Sequence, residues 1–267
     1  VLAVLLFLGG WQIVSAETNE LMVRCVAFYN LENVFDTIHD EGKNDYEYLP
    51  DGGMKWTSLK YTNKIQNMAY AIAQLGTDED PRGAAIVGVS EVENIGCLHD
   101  LCKELKEKHN RNYVPILLEG PDRRGIDVGL LYNPDMFKPV GQPKGYELKA
   151  HYADGGVVRS RLQLWVSGYM LDDSRKIVMD KIHISVNHWP SRSGGEESSR
   201  ATRDTAAMLV KQVADSIYMK EPRAKIIVMG DLNDDPFNNS CSVILGAKKT
   251  REEVGNQGFF NTMWQKL

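Results

Sequence analysis

From Leu21 the chain reads LMVRCVAFY, apolar except for Arg24, and then meets Asn30; this is the pattern of a buried strand that delivers a polar side chain to its C-terminal edge. A long polar loop follows to Trp56. From Thr57 the apolar positions Leu59, Ile65, Met68, Ala69, Ile72 and Leu75 recur at helical spacing and stop at Gly76, which predicts a helix closed by glycine. Residues 84–89 form a short apolar strand. The alternation then repeats: a helix over 95–109, a strand over 113–118, a loop over 121–125 and a strand over 126–132.

Strands dominate the middle of the chain. Residues 157–170 and 176–186 read as neighbours joined by the turn Leu171-Asp172-Asp173-Ser174-Arg175, and so short a connection implies an antiparallel pair. Residues 196–218 are helical, with Ala206, Leu209, Val210, Val213 and Ile217 on one face, and residues 225–229 form a buried strand that ends at Gly230-Asp231. Mixing strand pairs with strand–helix units suits two packed sheets flanked by helices better than one doubly wound sheet. No repeat, low-complexity tract or linker divides the chain, and 267 residues fit one large α/β domain.

The opening residues, VLAVLLFLGGWQIVSA, combine a short apolar run with small residues at Val14, Ser15 and Ala16, and a polar stretch follows at once. That is the outline of part of a signal peptide over 1–16, with the domain over 17–267; a buried N-terminal strand or helix is the alternative. The signal reading makes the protein exported, periplasmic or extracellular, with no stable membrane insertion once the signal is removed, and a monomer is expected. The composition, 43% hydrophobic and 25% charged, is that of an ordinary folded domain. A net charge of -5 argues against a broad basic face for nucleic acid, although a cleft can gather a few cations on an acidic protein. Four cysteines, Cys25, Cys97, Cys102 and Cys241, contain no CxxC spacing and read as buried free thiols, with no zinc site.

Four segments share one feature: an apolar strand runs straight into acidic, amide or imidazole side chains, where α/β folds collect their functional groups. They are Asn30-Leu31-Glu32-Asn33, Ser90-Glu91-Val92-Glu93-Asn94, Asn187-His188-Trp189-Pro190-Ser191-Arg192 and Gly230-Asp231-Leu232-Asn233-Asp234-Asp235-Pro236. A carboxylate at the mouth of a sheet, as at Glu91, needs a cation or donor to meet it, and a hard divalent metal suits one carboxylate with an amide nearby. The alternative is that Glu91 caps the helix beginning near Ile95, a role for which Glu93 has the stronger claim. Asp231 and Asn233 alternate on one strand end and share a side, so they can orient a water and hold a phosphoryl oxygen. An Asx turn closed by Pro236 is the alternative there, and Asp234 and Asp235 suit that turn better. His188 opens a loop of donors and flexible backbone, Ser191 to Gly195, able to enclose an anion; a structural histidine and a surface Arg192 are the alternatives.

These segments, together with Gly-Ile-Asp-Val-Gly-Leu-Leu-Tyr from Gly125, resemble in order and spacing the endonuclease/exonuclease/phosphatase superfamily, from Leu21 to about Pro236. The resemblance implies a four-layer α/β/β/α sandwich of two packed mixed sheets flanked by helices. It implies that Glu91 binds Mg2+ or Mn2+ with Asn30 and Glu32 helping, that His188 contacts the scissile phosphate, and that Asp231 orients or deprotonates the attacking water. Asn233 would stabilise the transition state, Asp127 would lie near the site on a neighbouring strand, and Arg123, Arg124 and Arg192 would contact phosphate. The implied partner is a phosphate-ester substrate, nucleic acid among the options. Members of this kind end in a strand bearing Ser-Asp-His, and no Asp-His pair follows Met170. The expectation is therefore a C-terminally incomplete domain, its closing strands missing and one sheet edge exposed, that hydrolyses poorly. A metal-dependent phosphodiester hydrolase of nuclease type leads. The alternatives are a phosphomonoesterase, a sphingomyelinase-like hydrolase of phospholipid headgroups, and a non-catalytic module that binds phosphorylated ligands.

Overall fold

The structure, a computed structural model, describes residues 23–152, 155–177, 181–193 and 195–266. The expected signal segment, residues 1–16, lies outside them. In chain order the main elements are β1 (Val26–Val34), α1 (Ser58–Gln74), β2 (Ile86–Val92), α2 (Ile95–His109), β3 (Val114–Leu117), β4 (Asp127–Tyr132), β5 (Phe137–Pro139), β6 (Lys144–Tyr146), β7 (Gln163–Met170), β8 (Ile182–His188), α3 (Glu196–Tyr218) and β9 (Lys225–Asp231).

They make the expected fold, two mixed sheets flanked by helices. The first sheet has the order β1-β2-β4-β3; the second has the order β5-β7-β8-β9, with β6 also paired to β7. Strand alternation assigns the faces. Val87, Val89 and Leu131 turn outward against Ile72 of α1 and Leu98, Leu101 and Leu105 of α2. Ile86, Val128 and Leu130 turn inward against Val166, Ile184 and Val186 of the second sheet. On the far side Trp165 packs with Ala207, Val210 and Ala214 of α3. Helix, sheet, sheet and helix are thus four layers around three apolar seams.

Local chemistry sets the helix starts. Thr57 caps α1 by accepting from the Lys60 N–H, and Asn94 caps α2 by accepting from the Cys97 N–H. Neither Glu91 nor Glu93 takes that role. Glu93 is buried and accepts from the Asp36 N–H and the Asn94 amide instead, because Asn94 stands one residue closer to the first turn.

Three expected boundaries move. β1 runs past Asn30 to Val34 through an irregularity at Glu32 and Asn33, both of positive φ. Residues 157–162 contribute a single bridge, His151 to Val157, rather than the first half of β7, since Arg159 and Arg161 there turn into the cleft described below. β8 begins at Ile182, with only the Leu171–Ile177 bridge before it. The antiparallel pairing of β7 with β8 is as expected.

The parallel pairs place the chemistry. β1 and β2 are parallel, as are β8 and β9, and the register pairs Asn30 with Ser90 and His188 with Asp231. Cys25, Cys97, Cys102 and Cys241 are free thiols, and among the described residues no helix is long and apolar enough to cross a membrane.

Candidate active site

The C-terminal ends of β1, β2, β8 and β9 open on one rim. Glu91 sits where the β2–β4 register shifts, and its backbone takes φ 61°. A non-glycine residue held there costs on the order of 1–3 kcal/mol, and such a bulge re-aims a side chain that would otherwise follow the pleat. The Glu91 carboxylate thereby comes within 3.2 Å of the Asn30 amide nitrogen and 3.7 Å of His188 Nε2. From the other sheet, Asp231 Oδ2 lies 3.2 Å from the same amide nitrogen and 4.0 Å from the same imidazole nitrogen.

Two carboxylates therefore face one another across an amide and an imidazole. Ligand atoms of Glu91, His188 and Asp231 all lie within 4.8 Å of one another. Burial, reinforced by the charges of Arg161 and Arg124, pushes His188 down to about 3, so its ring is neutral at neutral pH and offers no charge to balance the carboxylates. Its Nδ1 is buried with no hydrogen-bond partner among the described residues. A donor set of two carboxylate oxygens with an amide and an imidazole beside them suits a hard divalent cation. A second group, Asp36, Glu93 and Cys97, is equally close-set. Burial pushes Glu93 up to about 8, so that carboxyl is mostly protonated at neutral pH and the group is the poorer cation site.

A cleft of about 900 Å³ runs from this centre. One wall is the loop before β4, which brings in Arg123 and Arg124. That loop is held at several points: the Asp122 carboxylate accepts from the Arg124 N–H, Lys43 Nζ donates to the carbonyls of Gly120 and Asp122, and Asn44 N–H donates to the carbonyl of Arg123. Arg124 also reaches Asn33 Oδ1 at 3.3 Å. The opposite wall carries Arg159 and Arg161.

The structure brings Asn30, Glu91, His188, Asp231, Asn233, Arg123 and Arg124 to this one region. Asn233, at φ 53°, donates its amide to the Trp189 carbonyl, and its N–H meets Asp231 Oδ1. Three expected residues do not face the centre. The Glu32 carboxylate is exposed beside Lys64, because the β1 irregularity turns it outward. Asp127 is buried behind the arginine loop, where it accepts from the Gly120 N–H. Arg192 spends its donors on the Asn233 carbonyl, Asp235 and Asn238, and so clamps the segment after β9 from outside the cleft. Asp234, expected in a turn, is buried with Arg203 of α3 and anchors the same segment.

Sequence reasoning missed Asp122, Arg159 and Arg161. A signal was present for the last two: charges at alternate positions interrupt an apolar run, and buried charge needs a reason.

Comparison with known proteins places the chain in a family. A family model described as "Endonuclease/Exonuclease/phosphatase family" matches residues 25–267. No curated protein matches. Among solved structures, a mannosyl-6-phosphatase of Bacteroides thetaiotaomicron superposes with a TM-score of 0.51 at 16% identity, over 83% of this chain and 69% of that one. An endonuclease/exonuclease/phosphatase family protein from the same organism gives 0.49 at 16% identity, over 83% and 67%. The human Nocturnin catalytic domain with bound sulfate gives 0.44 at 17% identity, over 68% and 63%. At these identities the likeness is one of fold. With a family model spanning both sheets and the rim between them, the chain belongs to the endonuclease/exonuclease/phosphatase family.

Proposed function

We propose that the protein is a divalent-metal-dependent phosphoester hydrolase that cleaves phosphodiesters by direct attack of water. The observation that carries this reading is the meeting of Glu91 and Asp231, one from each sheet, at a single Asn30 amide nitrogen beside a neutral imidazole. Glu91, its carboxylate oriented by the Asn30 amide N–H, would hold Mg2+ or Mn2+; a bound cation of this kind polarises a phosphoryl oxygen and offsets developing charge. Asp231 accepts the proton of the attacking water as the oxygen–phosphorus bond forms and the bond to the ester oxygen breaks, the leaving alkoxide taking a proton from solvent. His188, neutral, donates from Nε2–H to a phosphoryl oxygen. Asn233, fixed by the Trp189 carbonyl, keeps its second amide hydrogen for the crowded transition state.

A phosphomonoesterase is the second reading, favoured by the rim. Arg123, Arg124 and Arg159 surround a cleft in the volume range of small-ligand sites, which suits a terminal dianionic phosphate better than a duplex. The net charge of -5 points the same way. Hydrolysis of bis(p-nitrophenyl) phosphate and p-nitrophenyl phosphate with and without Mg2+, for wild type and Glu91→Gln, tests the proposal. Metal-dependent turnover that Glu91→Gln abolishes supports it, and the preferred ester separates the two readings. Phosphate binding without metal, unchanged in Glu91→Gln, would instead support a non-catalytic binding module.

A further inference from the structure

Arg161 lies in the segment just before β7, and its side chain is only 8% exposed. Its guanidinium is forked between two partners: Nη1 meets Asp122 Oδ2 at 3.2 Å and Nη2 donates to the Trp189 carbonyl at 2.8 Å. Each partner braces one side of the cleft. Asp122 braces the Arg123–Arg124 loop of the first sheet through the Arg124 N–H. Trp189 follows His188 directly, its N–H donates to the Asp231 carbonyl, and its own carbonyl also receives the Asn233 amide at 3.0 Å. One side chain thus joins the phosphate-facing loop of one sheet to the imidazole, carboxylate and amide of the other.

Stability alone is a poor reason for this arrangement. A buried ion pair rarely stabilises more than a well-packed apolar replacement, and Arg161 also leaves its Nε buried without a hydrogen-bond partner among the described residues. What an apolar side chain cannot do is hold a carboxylate and a carbonyl at a fixed separation. The planar fork of arginine does that, and the single point charge of lysine does not. We propose, on the phosphoester reading above, that Arg161 is the positioning residue of the cleft, setting the spacing between the Arg123–Arg124 loop and the His188–Asn233 rim across one phosphoryl group.

The test uses Arg161→Lys, Asp122→Asn and the double variant, each checked for folding by circular dichroism. Asp122→Asn keeps an acceptor for the Arg124 N–H while weakening the link, so it carries the test if Arg161→Lys does not fold. For each, Mn2+ and then inorganic phosphate are titrated by calorimetry, and kcat and KM are measured on bis(p-nitrophenyl) phosphate. The expected result is a loss of about a hundredfold in kcat, the scale of a 1 Å misplacement, with weaker phosphate binding and unchanged Mn2+ affinity. The double variant should be no worse than the poorer single one, because both cut one link. A merely structural role would lower the melting temperature without separating phosphate from Mn2+ affinity. Folded variants with wild-type kcat and phosphate affinity, or with Mn2+ affinity falling in step with kcat, overturn the assignment. A wild-type protein that neither binds phosphate nor cleaves the ester overturns the phosphoester reading along with it.

Discussion

The amide nitrogen of Asn30 lies 3.2 Å from Asp231 Oδ2, although 201 positions separate them in the chain. The same nitrogen is 3.2 Å from Glu91 Oε1. One donor therefore spans carboxylates from both sheets, so the proposed cation site depends on the sheets keeping their packing. β1 and β2 both touch β9, and those contacts set the span.

Replacing Asn30 with alanine leaves the carboxylates opposed with no donor between them. Ligand-supporting groups of this kind are worth about 10- to 100-fold in metal affinity or activity. Calorimetric titration with Mn2+ should show a loss of that size in Asn30→Ala, and Asn30→Gln should not restore it, since the longer side chain cannot sit at the same distance from both acceptors.

Gly230 sits next to Asp231 at φ 147°, and an added Cβ would fall 2.1 Å from the Asn187 carbonyl oxygen. Gly230→Ala must push β8 and β9 apart at the point where His188 and Asp231 pair. Urea unfolding should show a loss of about 3 kcal/mol, the upper end of the cost of overpacking, and Mn2+ affinity should fall with it.

The residues legible in the sequence were those a strand delivers. Asn30, Glu91, His188 and Asp231 each end an apolar run, and parallel pairing brings such ends to one rim. What escaped depends on loops and on closure in three dimensions. Glu32 follows Asn30 by two residues and looked equivalent, yet a backbone irregularity of positive φ turns it to solvent. Arg192 lies in a loop rich in donors, and nothing local shows that Asp235 and Asn238 claim its guanidinium. Arg161 and Asp122 are 39 residues apart and carry no shared motif, so their pairing is visible only once the two sheets face each other.

Asp127 gives a pH prediction. Burial, the largest influence, raises its carboxyl from the ordinary 3.8 to about 7; Lys43 and the Gly120 N–H oppose this, while Asp122 and Glu119 add to it. In the window from 3.8 to about 7 the folded protein keeps a proton that the unfolded chain has released. Its contribution to stability is therefore complete below that window, falls as pH rises through it, by at most about 1.4 kcal/mol per pH unit, and is gone above it. Asp127→Asn keeps the acceptor for Gly120 and removes the titration. Urea unfolding of both proteins across the window should show the wild type losing stability relative to the variant as pH rises; parallel curves would contradict the assignment.

The central claim is that side chains from both sheets converge on one cation, and anomalous diffraction from crystals grown with Mn2+ tests it most directly. The account predicts one strong peak within coordination distance of Glu91 and within reach of Asp231 through one bound water. A peak at Asp36 and Glu93 instead, or none near Glu91 at saturating Mn2+, would contradict it.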